Sequence, residues 1–196
     1  MLMASILREQ VLPHQQYAWL RQKFMQEVIA TKKIRRVNIS ERMSGVFENQ
    51  LTVWFQIQEM VHAERMENEE FIHEMLDVYN ELLPLNNELT MTLFIEIPDQ
   101  EQLRAFNRTV VGIEDHVHLT FGTHLVSSYE PGEDDDEVNK EYTQSVHYLH
   151  FPFSDSQKAD FLNYSGDVWL KVTHPNYHRE IVLNSALVSE LKKQLN

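Results

Sequence analysis

The sequence predicts an α+β domain, with a mostly antiparallel or mixed sheet and helices packed on it. Three patterns carry this expectation. Apolar residues alternate with period two in short runs such as 89–97, and recur at three- and four-residue spacing in others, such as Tyr17, Leu20, Phe24 and Val28. Segments 89–122 and 146–173 also share one order: strand, helix opened near an Asp (Asp99, Asp155), strand. That points to a duplicated β-α-β unit, whose two copies would pair into one sheet with pseudo-two-fold symmetry.

The bulk properties bound the answer. A chain of 196 residues, 42% hydrophobic with 5 Gly and 6 Pro, suits a single domain with a sizeable core. No run reaches the ~20 apolar residues of a membrane span. The first residues lack a basic stretch ahead of an apolar one, so no signal peptide is read and the cytoplasm is the expected compartment. With no cysteine, disulfides, thiol catalysis and a Cys-ligated iron–sulfur cluster are excluded for this chain. The cofactor is unknown; any metal would be held by His or carboxylates. A net charge of −13 disfavours nucleic acid and anionic membranes as partners. The charge is uneven: residues 1–36 carry seven Lys/Arg against two Asp/Glu, and the remaining 160 carry ten against 28.

In order, residues 1–36 read as a loosely tied arm and a basic helix starting near His14. Lys32, Lys33, Arg35 and Arg36 end that helix, either complementing its macrodipole or forming an anion or acidic-partner site. Residues 37–84 read as a short strand at 37–39, a connection at 40–45, and a hairpin over 45–55. The hairpin turns at Glu48-Asn49-Gln50, and helical residues follow from about Gln58. Asn68 with Glu69 and Glu70 opens the next helix, with Ile72, Met75, Tyr79 and Leu82 or Leu83 in line, and Pro84 stops it. Residues 88–196 form the repeated sheet part. Strands fall at 89–97, 116–121, 146–153, 167–172 and 178–183, with a turn at Gly112 and a last helix capped by Ser185. The stretch 127–142, with seven acidic residues and Pro131-Gly132, is expected to be a mobile loop. Its Asp134-Asp135-Asp136 run lacks calcium-loop spacing and reads as solvated charge.

Several residue sets suit chemistry. Glu59…His62 and Glu70…His73 are Glu-x-x-His pairs, the ligand grammar of di-iron carboxylate bundles, although a predicted strand precedes them. His116 and His118 have same-face spacing on a strand and are metal-ligand candidates, the alternative being that they face water. Glu59, Arg65, His73 and Glu74, with Asp77 one turn beyond His73, make either an acid/base set or a salt-bridge network. Gln56 and Gln58 lie beside Trp54 and Phe55 and are binding candidates. No Gly-rich phosphate loop, G-x-S-x-G or H-E-x-x-H occurs.

The strings Phe47-Glu48-Asn49, Thr52-Val53-Trp54-Phe55-Gln56-Ile57-Gln58-Glu59-Met60, Glu64-Arg65, His73-Glu74, Tyr79-Asn80-Glu81-Leu82-Leu83-Pro84 and 88–96 carry a family resemblance. Weaker matches are His116-Val117, 145–151 and His174-Pro175-Asn176-Tyr177. With them, the chain resembles an uncharacterised bacterial family, a domain of unknown function, over nearly its whole length. The family more often has Arg where this chain has His62. Members are typically encoded beside a rubrerythrin-like di-iron protein and an iron–sulfur oxidoreductase. The resemblance therefore implies an accessory or adaptor protein of a redox or peroxide-stress pathway, with one of those proteins as partner. A metal-binding or acid/base enzyme built on the Glu/Arg/His cluster is the alternative.

Overall fold

The computed structural model describes residues 5–85, 87–132 and 141–196. The α+β expectation holds. Six α-helices accompany two four-stranded antiparallel sheets, ordered β1-β2-β3-β6 and β5-β4-β7-β8. In chain order the elements are α1 (His14–Arg35), β1 (Arg36–Ser40), β2 (Met43–Phe47), α2 (Gln50–Ala63), α3 (Glu69–Asn80), β3 (Glu88–Ile95), α4 (Gln100–Thr109), β4 (Val117–Phe121), β5 (His124–Ser127), β6 (Val146–Pro152), α5 (Asp155–Asn163), β7 (Trp169–His174), β8 (Tyr177–Val182) and α6 (Ser185–Leu195). No helix among the described residues is long and apolar enough to cross a membrane.

The central stretch departs from the sequence reading. The predicted hairpin over 45–55 is instead the end of β2 followed at once by α2. Asn49 is an N-cap: its side chain accepts from Thr52 N at 2.9 Å, and Thr52 Oγ1 accepts from Asn49 N at 2.9 Å. That capping box overrides the strand preference of Thr52, Val53, Trp54, Phe55 and Ile57. The real hairpin lies earlier, where β1 turns at Glu41-Arg42 into β2. There, Gly45 lets Met91 approach so closely that an added Cβ would sit 2.6 Å from its sulfur.

The segments read as a repeat occupy matching places, but in two sheets rather than one. β3 pairs with β6 around Met91 opposite Leu149, and β4 pairs with β7 around Leu119 opposite Leu170. Each segment thus runs from one sheet, through a helix, to the other. Each then continues into a hairpin partner, β5 or β8, and these flank the β4-β7 pair symmetrically.

Two apolar clusters result. The larger joins the inner faces of both sheets with Leu187, Leu191 and Leu195 of α6. The smaller is helical: Val53, Ile57 and Val61 of α2 and Ile72, Met75 and Leu76 of α3 close over Ile6 and Val11. The N-terminal arm is therefore tied down from Ile6 onward, not loose. Two side-chain amides hold it by mimicking strand pairing. Asn80 bonds both backbone groups of Ile6 (2.8 and 3.1 Å), and Gln58 bonds both of Leu12 (2.6 and 3.0 Å).

Candidate functional site

The structure does not bring Glu59, Arg65, His73 and Glu74 together. Glu59 is a clasp between α2 and α1. It accepts from the Tyr17 hydroxyl at 2.7 Å and takes a two-pronged bond from Arg21, which holds its carboxyl below the usual range. Arg65 sits just past α2 with φ 48°, the left-handed position that ends a helix. His73 and Glu74 are exposed on α3, and no hydrogen bond or ion pair links them to Glu59 or Arg65. Of the Glu-x-x-His pairs, the first has its carboxylate occupied by Arg21, and the second lies on the exposed side of α3.

The other predicted residues are also placed. Gln58 is fully buried in the clamp on Leu12, whereas Gln56 only bonds back to Thr52 O at 3.3 Å in its own helix. The basic cluster is dispersed. Arg35 is buried, donating to Phe47 O (2.6 Å), Glu48 O (3.0 Å) and Gln194, and burial pulls its pKa down to about 10. Arg36 pairs with Glu96 at 2.8 Å, Lys32 is half-buried, and Lys33 is exposed. His116 and His118 do not share a strand face, because His116 ends a 3₁₀ turn (Ile113–His116) before β4 begins. Both nitrogens of His118 are engaged, with Ser127 Oγ at 3.1 Å and Thr173 Oγ1 at 2.8 Å. Burial, then His116, lowers its pKa. Among the described residues, no group of three His, Asp or Glu is arranged to hold a metal ion. Within the expected mobile loop, Ser127 ends β5, Ser128 is buried, and Tyr129 bridges to His150. Asp134-Asp135-Asp136 lies outside the described residues.

Buried ionisable groups collect instead on the two faces of β6. Register puts His150 and Tyr148 on the outer face of their sheet, opposite Thr90 and Thr92, and His147 on the inner face, opposite Leu93. On the outer face His150 Nδ1 lies 3.1 Å from Glu88, which also accepts from the Tyr129 hydroxyl at 3.0 Å. Burial alone would raise the Glu88 pKa, but these two bonds outweigh it and hold it low. Burial, then the bond to Glu88, pushes Tyr129 up to about 12. His150 Nε2 is buried with no hydrogen-bond partner. Close by, buried Glu48 accepts from Thr92 at 2.6 Å and from Thr52, while Tyr148, pushed up by burial and by Tyr79, Glu130 and Glu48, closes the seam.

On the inner face His147 lies between two carboxylates, with Nδ1 2.8 Å from Glu130 and 3.8 Å from Glu114. Its Nε2 is 3.0 Å from both Thr143 Oγ1 and Gln144 O. Burial disfavours the imidazolium, yet Glu130 and then Glu114 overcome this and raise its pKa. The outer-face set has the parts of an oriented acid/base histidine: a carboxylate on one nitrogen and a second nitrogen left unpaired. Spacing in the sequence does not reveal the partners of His147 and His150, namely Glu88, Glu114 and Glu130, which come from 17 to 62 residues away.

The comparisons with other proteins agree with this architecture. A protein-family profile described as "Protein of unknown function (DUF3501)" matches residues 5–195. No curated protein matches the chain. A crystal structure described as a novel protein of unknown function from Burkholderia pseudomallei K96243 is similar, at 31% identity and TM-score 0.90, covering 98% of this chain and 100% of that one. The chain belongs to the DUF3501 family of proteins of unknown function.

Proposed function

We propose that this protein is a cytoplasmic accessory protein of a bacterial redox or peroxide-stress pathway that binds a protein partner through α1. One observation carries the reading. Only Tyr17, Val28 and Arg35 of α1 are buried, and at 100° per residue they fall along one side of the helix. The opposite side carries Trp19, Lys23, Ala30, Lys33 and Ile34, all exposed, with Trp19 at 90%. A large aromatic left in water on a helix side that also carries Lys23 and Lys33 suits an acidic partner surface with an apolar centre. The neighbourhood implied by the family resemblance supplies the candidates, a rubrerythrin-like protein or an iron–sulfur oxidoreductase. The test is a binding titration of the purified chain against each. Trp19→Ala is expected to weaken the complex at least ~10-fold, the scale of an interface hot spot. Absence of any complex with either protein, or a Trp19→Ala variant that binds as well as the parent, overturns the reading.

The second reading is a metal-binding or acid/base enzyme, and the unpaired Nε2 of His150 favours it. It rests on His150 and Glu88, not on the Glu59 cluster. Elemental analysis of protein purified without chelators tests the metal form: stoichiometric metal lost in His150→Gln supports it, and metal-free parent protein ends it.

A further inference from the structure

We propose that the cleft between the β1–β2 turn and the β7–β8 turn binds a small phosphate-bearing molecule, gripped by Arg42 and Arg179. The cleft measures about 630 Å³, within the range of small-molecule sites (roughly 300–1,000 Å³). It lies where the two sheets meet, closed beneath by a hydrogen bond of 2.7 Å between Ser40 Oγ of β1 and the Tyr177 hydroxyl of β8. Phe106, from α4, packs edge-on against Tyr177 with ring centroids 5.3 Å apart. These rings are the platform for the two arginines: the Arg42 guanidinium lies 5.8 Å over Phe106, and that of Arg179 lies 5.0 Å over Tyr177.

Several other arginines of the chain are already engaged. Arg8, Arg21 and Arg36 are each spent on a glutamate, and Arg35 is spent on backbone carbonyls. Arg42 has only Glu41, at 3.9 Å and itself 86% exposed. Arg179 has no carboxylate partner among the described residues, and gives one bond to His178 O at 2.7 Å. A guanidinium resting on a ring keeps its in-plane N–H fork open, and two such forks lining one cleft suit the tetrahedral oxygens of a phosphate. Asn176, tied through its amide nitrogen to Thr109 O at 2.9 Å, keeps its side-chain oxygen to accept a ligand hydroxyl. In a chain of net charge −13, a cleft lined by two arginines against one carboxylate, the exposed Glu41, offers a local excess of positive charge to an anionic small molecule.

The test is calorimetric titration of the full chain at low ionic strength with inorganic phosphate, pyrophosphate and, as a carboxylate arm, succinate. Saturable binding of phosphate or pyrophosphate is expected, weakened several-fold in Arg42→Ala or Arg179→Ala and at least ~10-fold in the double variant. Arg65→Ala, remote from the cleft, should bind as the parent does. Because both arginines are at the surface, circular dichroism and Tm of the variants should match the parent. Failure of phosphate and pyrophosphate to saturate, binding that survives the double substitution, or succinate binding as tightly as pyrophosphate would each overturn the proposal.

Discussion

On the β3-β6 pair of the first sheet both faces bury side chains, yet they are built from opposite chemistry. The inner face carries Leu89, Met91, Leu93, Leu149 and Phe151, interrupted by His147. The outer face carries buried Glu88, Thr90, Thr92 and His150, with Tyr148 exposed beside them, and Thr90 donates to Leu82 O at 2.8 Å. Inner-face residues stabilise by leaving water. Outer-face residues must first recover the cost of desolvating polar groups, and they do so only while each partner is in place. A sheet face that is buried but not apolar is therefore either a network fixing how helices sit on it or a chemical site. Substitution can separate the two.

The largest expected effect is on the inner face. Phe151→Ala should cost about 3–5 kcal/mol by denaturant unfolding, through lost burial and a cavity. On the outer face Glu88→Ala should cost roughly 3 kcal/mol, because His150 and Tyr129 lose their common partner inside the protein. A Glu88→Leu, His150→Phe double variant, which removes both polar groups, should recover most of that loss. If it folds well and still supports partner binding, the outer-face polar set is structural. If it folds well but loses function, the second reading gains.

Stability against pH sharpens the same contrast, because the faces carry shifts of opposite sign. Glu88 has a folded pKa below its unfolded value. Its contribution is present above the ordinary carboxylate range and is lost as pH falls through the folded value. His147 has a folded pKa above its unfolded value of about 6.5. Its contribution is complete below that value and is lost as pH rises through the folded one. Chemical unfolding across pH should therefore show Glu88→Gln flattening the acid limb and His147→Gln the limb on the alkaline side. The smallest effect belongs to Arg65→Gly, which should stabilise by roughly 0.5–1 kcal/mol through relief of the left-handed backbone. A loss of stability there would show that the Arg65 side chain has a role of its own.

Much of the fold was legible in local patterns. Strand alternation in residues 89–97, the Asp99 cap and the turn at Gly112 each involve neighbours in sequence, and the structure places β3, α4 and β4 accordingly. The stretch after Phe47 was not legible in the same way. Strand-forming side chains and a helix-opening cap compete there, and packing of Val53, Ile57 and Val61 against α3 and the arm joins the cap in favouring the helix. The site candidates failed to converge for a related reason. Spacing of three or four residues brings Glu59 near His62, but it cannot reveal that Arg21, 38 residues away, takes the carboxylate first.

By itself, then, the sequence determined the α+β class, the absence of thiol chemistry and the acidic body with its basic first helix, because these follow from composition and from contacts within a few residues. Tertiary structure alone decided that the repeated segments divide between two sheets, that Gln58 and Asn80 strap down the arm, and that His150 meets Glu88. It also decided that Arg42 and Arg179 face one cleft. Each of those pairings joins residues far apart in the chain, where the energy of burial and of satisfying buried polar groups, not local preference, selects the partner.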